Sequence, residues 1–596
     1  MAFYLSPMVD VNEIDLTNTI PAVATSIGVI ILRNTWKGPE MKPIFISNVD
    51  SLINVFGRPT NNDNPLADVP SGTGTFCNQD ILSAVGFLRY SSALYATRVM
   101  PEAATFAGTK AVSGSEVEFN GFTAGNAYKL SSFTDTGDPD EFHDETGLKP
   151  TDSPFTLIAS SRGGWGNNIR VAVVDYNSYQ SINLSSGHST ADTVNAIKAI
   201  DSPLLDEKDF LIIVQARSQV DVLNDDDDTV WSTVEVWNVS TDVNRSDDMG
   251  GKKFAEYAIN ESSKYIRISV SESQKNESIN IFTDEWQEFS GGTNGGAGEN
   301  DTVDDSDIIK ALDLYANAEE IDVNIFIDSN NSDTVKNHMV EICETRKDCM
   351  VVLDCKRTNV VNNVGNETES LRVYRRNTLN LNTSYAAFYG NWIEVYDKWN
   401  GRYRWIPASG YVAGIYANTD DVSEPWMAPA GLNRAILQNV RRLAWNPTKG
   451  ERDILYKNGI NPVVSFSGQG KVIWGQKTLL DKESAFNRVN VRRLFIILEK
   501  AISTAAKYFL FEPNTEFTRT LLINMIDPFL RDVRSRQGIY DFMIVCDNSN
   551  NTPERIDRNE LWCDIYIKPT RAAEFIVLNF IATKTGASFT ELIAAE

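Results

Sequence analysis

Cysteine and histidine are scarce, at six and three residues of 596. Six thiols are too few for a disulfide scaffold, so free thiols are expected. His143, His188 and His338 stand far apart, and none is placed as an obvious base for a nucleophile. No G-x-S-x-G motif occurs. Long apolar runs are also lacking. The longest uncharged stretch near the start, Leu16–Leu32, holds Asn18, Pro21 and four Ser or Thr residues, which makes a poor membrane span. The first basic side chain is Arg33, so the charged start of a secretory signal is missing. The expectation is a soluble chain made in a cytoplasm.

What is present is ordinary globular composition, 42% hydrophobic and 23% charged, in a chain long enough for about four domains of ~150 residues each. The formal charge is −25, which argues against a nucleic-acid backbone as the main partner. That charge is uneven. Residues 201–330 hold 30 acidic and 9 basic side chains, whereas residues 431–590 hold 16 acidic and 23 basic. A solvated acidic outer surface accounts for this, as does charge complementarity between copies.

Along the chain, residues 1–20 have strand-like alternation. Val9 and Val11 alternate with Asp10 and Asn12, and Ile14 and Leu16 continue on the other phase. So apolar an arm either docks on its own body or adds a strand to a neighbour's sheet. Residues 21–103 alternate strands (22–32, 43–47, 93–99) with helices (49–56, 81–90), an α/β pattern. Residues 104–150 read as a small inserted β-rich domain. Residues 151–300 form a β-rich α/β domain with strands at 169–175, 210–216, 233–239 and 265–270. Residues 301–430 return to α/β, with strands at 323–327 and 350–354 and a helix at 332–346.

Residues 431–596 form a C-terminal module ending in an arm. Val491, Leu494, Leu498, Ala501, Ala505 and Phe509 share one helical face. A second helix starts near Asn514 with Phe517, Leu521, Met525 and Phe529 inward. Pro528 predicts a kink or break in it, and Gly538 suits its C-terminal cap. Strands follow at 540–546, 561–568 and 575–582, the last apolar on both faces like a central strand. The fold class is α/β and α+β, multidomain. Its core is two helices on a small sheet joined by the N-terminal arm, with the other domains inserted outside.

The motifs GQKTLLDKESAFNRVNVRRLF, FEPNTEFTRT, RDVRSRQGIYDF and NNTPERIDRNELWCDIYIKPTRAAEFIVLNF resemble the C-terminal module of bacteriophage contractile tail sheath proteins. The opening SPMVDVNEIDLTNTIPAVATSIGVI and the central WGNNIRV and EEIDVNIFI resemble other family positions. The resemblance implies a structural protein with no enzymatic activity, cofactor or metal. It implies rings of six stacked around a tail tube, which contract to drive the tube through the host envelope. Implied partners are neighbouring copies, the tube protein, and baseplate and tail terminator proteins. No direct nucleic-acid binding and no membrane insertion are implied. The location would be the virion tail, assembled in the host bacterial cytoplasm. Val9, Val11, Ile14, Leu16, Phe575, Val577, Phe580 and Phe589 become candidates for strand exchange between subunits, with hinges at Pro21 and Gly586. The alternatives are the sheath of a related bacteriocin or secretion machine, and a surface-binding tail protein.

Residues that suggest chemistry have plainer readings. Gly470–Thr478 nearly spells a P-loop, but Gln476 intervenes and Val472-Ile473-Trp474 reads as strand. Cys343, Cys349 and Cys355 are spaced too widely for a zinc pair, so buried free thiols are expected. The acidic runs 225–228 and 301–307 lack the spacing of a calcium loop. Trp392, Tyr396, Trp399, Tyr403 and Trp405 read as the packed core of a hairpin rather than a sugar site.

Overall fold

The computed structural model describes residues 26–60, 78–109, 155–181, 206–219, 231–247, 250–270, 275–279, 286–295 and 303–578. These fall into two compact units. The larger holds the described residues up to Pro425 together with Pro429–Thr504, and the smaller holds Trp426–Ala428 and the described residues from Ala505 onward.

The larger unit is organised around a seven-stranded sheet in the order Ile460–Asn461, Ala386–Tyr389, Met350–Asp354, Ile325–Ile327, Gly28–Arg33, Leu94–Val99, Ile44–Ile46. All pairings are parallel except that of the edge strand Ile44–Ile46. The strands are near-continuous apolar runs because both faces are covered. Ile30, Leu32, Ile325, Ile327, Met350 and Val352 enter one core with helices Asn78–Phe87 and Ser409–Val422. Val29, Ile31, Phe326, Val351 and Leu353 enter the other with helices Asp305–Asp313 and Asp333–Arg346. The centre of the sheet thus joins a strand from the beginning of the chain to one three hundred residues later.

The same unit holds a seven-stranded sheet in the order Trp231–Ser240, Asp209–Arg217, Ile169–Asp175, Gln287–Ser290, Gly108–Thr109, Phe155–Ala159, Ile266–Val270, antiparallel throughout. Helix Ala255–Ser262 covers one face through Ala255 and Ile259. Gly108–Thr109 therefore joins the strands of the following segment, while 110–154, where the inserted β-rich domain is expected, lie outside the described residues.

The aromatic stretch forms a hairpin, Trp392–Asp397 with Arg402–Pro407, but it is only half a packed core. Trp392 is buried and donates from Nε1 to the Cys355 carbonyl, whereas Tyr396 and Tyr403 pair at 5.2 Å on an exposed face. Strand alternation sends neighbouring aromatics to opposite sides, and one side here is solvent.

Helix Val489–Ala506 buries Val491, Leu494, Leu498, Ala501 and Ala505 as expected, but Phe509 lies beyond its end in the short 3-10 turn Lys507–Phe509 and is only half-buried. Helix Glu516–Ser535 departs from expectation. Its buried stripe is Leu522, Met525, Ile526, Leu530 and Val533, and Phe517 and Leu521 are exposed. The sequence carries two apolar stripes, and the longer one wins the interior. The helix also runs through Pro528 without a break. At its end Gln537, not Gly538, takes the left-handed conformation, with φ 64°.

Gly538 is required for space instead. Its N–H donates to the Val533 carbonyl at 2.8 Å, and a Cβ there would lie 2.6 Å from Val533 Cγ1 and 3.1 Å from Trp426 Cε2. Gly538→Ala is expected to cost about 1–3 kcal/mol, seen as earlier loss of the smaller unit in denaturant. Gly450→Ala, on a helix with nothing within 4 Å of the new Cβ, is the neutral control.

The only sheet among the described residues of the smaller unit is the hairpin Ile539–Val545 with Asp564–Pro569. Of the expected third strand, 575–582, residues 575–578 are not strand, and 579–582 lie outside the described residues.

Candidate functional site

In open parallel sheets ligands bind beyond the carboxyl ends of the strands, where the chain's connections diverge. Here that point lies between Gly28–Arg33 and Ile325–Ile327, whose following helices pack on opposite faces. The crevice is filled by the protein's own side chains. Arg33, the last residue of its strand, donates from Nε to Asp80 Oδ2 at 2.8 Å and from Nη2 to Asp80 Oδ1 at 2.7 Å. Nη2 also donates to the Ser329 carbonyl at 2.7 Å. Ser329 and Asn330 both take positive φ, 49° and 59°, which turns the backbone back toward the guanidinium.

A second group lies beside it. Asp328, Lys336 and Asp354 are each 0% exposed. Lys336 Nζ donates to the Asp354 carbonyl at 2.9 Å and to Tyr374 Oη at 3.1 Å, and sits 3.4 Å from Asp328 Oδ2. Asp354 accepts from the Ser409 amide at 2.8 Å through Oδ1. Tyr374 Oη donates to Asp333 Oδ1, which leads out to Lys356 at the surface. Burial, then the neighbouring Asp328, pushes the Asp354 carboxyl up to about 8. Burial raises Asp328 as well, against the pull of Lys336. One ammonium thus serves two carboxyls, and the third charge is removed by a proton on Asp354. With the crevice packed shut, this network acts as a structural plug.

The near P-loop is no cradle. Gly470–Ile473 is a strand paired with Val463–Phe466, and Lys477 Nζ donates to the Tyr456 carbonyl at 2.8 Å. Cys343, Cys349 and Cys355 are free and buried, and no group of residues fit for a metal occurs among the described residues. Of the acidic runs, 225–228 lies outside the described residues, as do His143 and His188. Asp305 accepts from the Ser332 hydroxyl at 2.6 Å and Asp307 pairs with Lys310. No described helix is long and apolar enough to cross a membrane.

Among the described residues, uncovered apolar side chains gather instead at the end of the described chain. Phe575 is 85% exposed and Val577 81%, with Ile576 and Leu578 equally open. Tyr540, Met543 and Tyr566 are exposed on the hairpin, as are Tyr508, Leu510 and Phe511 before the second helix. Among the described residues each hairpin strand has a single partner, so no other described strand covers either outer edge. Val9, Val11, Ile14, Leu16, Pro21, Phe580, Gly586 and Phe589 lie outside the described residues.

Two family models match this chain, the phage tail sheath protein central domain over residues 302–479 and the phage tail sheath C-terminal domain over 481–583. The chain is 35% identical over 471 residues to the tail sheath protein of Vibrio phage KVP40, covering 73% of this chain and 66% of that one. It belongs to the phage tail sheath family. The tail sheath protein of Enterobacteria phage T4 is 40% identical over 325 residues, 52% of this chain and 49% of that one. The matched regions thus span about half to two thirds of these relatives' length. The sheath tail protein of Listeria innocua has a similar fold, with a TM-score of 0.51 at 12% identity over 92% of this chain and 96% of that one. The sheath central-domain match contains Asp328, Lys336 and Asp354, and the C-terminal match contains the hairpin and Phe575–Leu578. The plug was invisible in sequence because its members come from positions 33, 80, 328–336, 354 and 409; only the polar run Asp328-Ser329-Asn330-Asn331 after an apolar strand hinted at it.

Proposed function

We propose that this chain is the structural subunit of a bacteriophage's contractile tail sheath. Copies polymerise as stacked rings of six around the tail tube, in the virion tail, and contract to drive the tube through the host envelope. The observation that carries this reading is the exposed apolar run Phe575–Leu578 on a unit whose hairpin pairs with no other described strand. An apolar strand without a partner and an edge without a strand are complementary, and joining them between copies satisfies both. The N-terminal arm, through Val9, Val11, Ile14 and Leu16, supplies a second such link, and Pro21 and Gly586 are the junctions that bend. Backbone pairing holds neighbours together while rigid bodies rotate.

The plugged crevice supports a machine that runs without nucleotide. Its energy would be stored in a metastable extended lattice and released over a kinetic barrier as better interfaces form. Tube, baseplate and terminator proteins would bound the lattice. Electron microscopy of the purified chain tests the reading. Hollow tubes with a regular helical repeat are expected, and single particles under every condition of concentration and salt would overturn it.

A further inference from the structure

The last paired residues at the loop end of the hairpin are Val545 and Asp564, so the next facing positions are Cys546 and Cys563. The two thiols are close enough to act on each other electrostatically, and burial raises both. Between them the chain makes a loop pinned from inside. Asn550 Nδ2 donates to the Val545 carbonyl at 2.7 Å and to Asp564 Oδ2 at 3.1 Å, and Asn551 Nδ2 donates to the Trp562 carbonyl at 2.8 Å. Arg555 stacks on Trp562 at 4.0 Å. The two sulfurs are therefore held together by structure on both sides. Cys546 is buried and Cys563 is partly exposed, so one sulfur is reachable from solvent and the other stands behind it. The charged groups around them are Arg519, Asp547 and Asp564.

We propose that Cys546 and Cys563 are a latent cross-strand disulfide, left open in a reducing cytoplasm and closed by thiol–disulfide exchange in an oxidising medium. The setting rests on the virion reading above, but the bond does not. In the first step the Cys563 thiolate attacks a small-molecule disulfide, forming a mixed disulfide and releasing one thiolate. In the second the Cys546 thiolate attacks the Cys563 sulfur, closing the protein disulfide and releasing the second thiolate. Two protein thiols are oxidised, one external disulfide is reduced to two thiols, and the two protein protons go to those leaving thiolates. A two-stranded sheet is marginal alone, so a covalent link at its loop end would hold in register the strands whose edges neighbours join.

A second pair supplies an internal control. Cys343 Sγ and Cys349 Sγ lie 3.2 Å apart, but both residues are 0% exposed. Proximity alone predicts that both pairs close; proximity with access predicts only Cys546–Cys563. The reduced full-length protein is treated for hours with oxidised glutathione at about pH 8.5, because burial pushes the Cys563 thiol up to about 12 and leaves only a small fraction as thiolate, and mapped without reduction. The expected result is a Cys546–Cys563 cross-link with Cys343 and Cys349 still reduced. Cys546→Ser should trap Cys563 as its glutathione adduct, and Cys563→Ser should leave Cys546 unmodified. Cleavage by protease inside 546–563 should slow about tenfold on closure. The proposal fails if wild-type Cys563 stops at the glutathione adduct, if neither thiol reacts until the protein is unfolded, or if the link forms without changing cleavage. None of these outcomes depends on whether the protein makes tubes.

Discussion

Truncation after Glu574 leaves a folded protein that makes no tubes at concentrations where the full chain polymerises completely. The run that is lost is Phe575-Ile576-Val577-Leu578, all exposed in the single chain. Burying such side chains on a neighbour is worth about 1.5 kcal/mol each or more, roughly 6 kcal/mol in total. If half of that is lost to ordering the tail, about 3 kcal/mol remains, close to a hundredfold change in the concentration needed to assemble. Deleting residues 1–18 should act in the same direction, giving a soluble monomer with an unchanged circular dichroism spectrum. Point variants separate strand addition from loose hydrophobic contact. Phe575 and Val577 lie on one face of an extended strand, and Ile576 and Leu578 on the other. If the strand joins a sheet with one covered face, Ser at one pair blocks assembly and Ser at the other leaves it intact. If it is buried on both faces, each double variant blocks it. Sheaths of normal length from either truncation would sink the exchange idea.

The sequence made local structure readable wherever one apolar stripe dominated. Val491, Leu494, Leu498, Ala501 and Ala505 permit a single helical face, and that face is the buried one. Glu516–Ser535 carries two stripes, and periodicity cannot rank them, because the choice depends on which surface the rest of the unit presents. Phe575–Leu578 has the composition of a central strand but is not in a strand here. Under the proposed exchange its pattern would answer to a neighbour's sheet, which periodicity within one chain cannot distinguish from its own. Tyr396 and Tyr403 show the converse error. Aromatic content suggested a core, while their position in the strand set them outward. The crevice was the least legible feature, since long-range parallel pairing brings its charges together and no motif records that pairing.

That crevice yields the other large effect. Lys336→Met removes the one ammonium facing Asp328 and Asp354 and is expected to cost about 3–5 kcal/mol at neutral pH, because a buried carboxylate loses its partner. Asp354→Asn should do something different. The Asp354 carboxyl is raised from its ordinary 3.8 to about 8 in the folded chain. The native state therefore holds a proton that the unfolded state has released, and its contribution to stability is complete below pH 3.8 and drains away as pH rises to about 8. Asparagine keeps the oxygen that accepts from the Ser409 amide but cannot ionise, so the variant lacks that slope. The two proteins should match within about 1 kcal/mol near pH 4–5, and the variant should be the more stable by a few kcal/mol near pH 9. Denaturant unfolding of the larger unit across that range measures both. A variant that falls with pH as steeply as the parent would place the titration elsewhere, and a Lys336→Met protein of parental stability would mean that Asp328 and Asp354 are already neutral, with the plug held by packing rather than by charge.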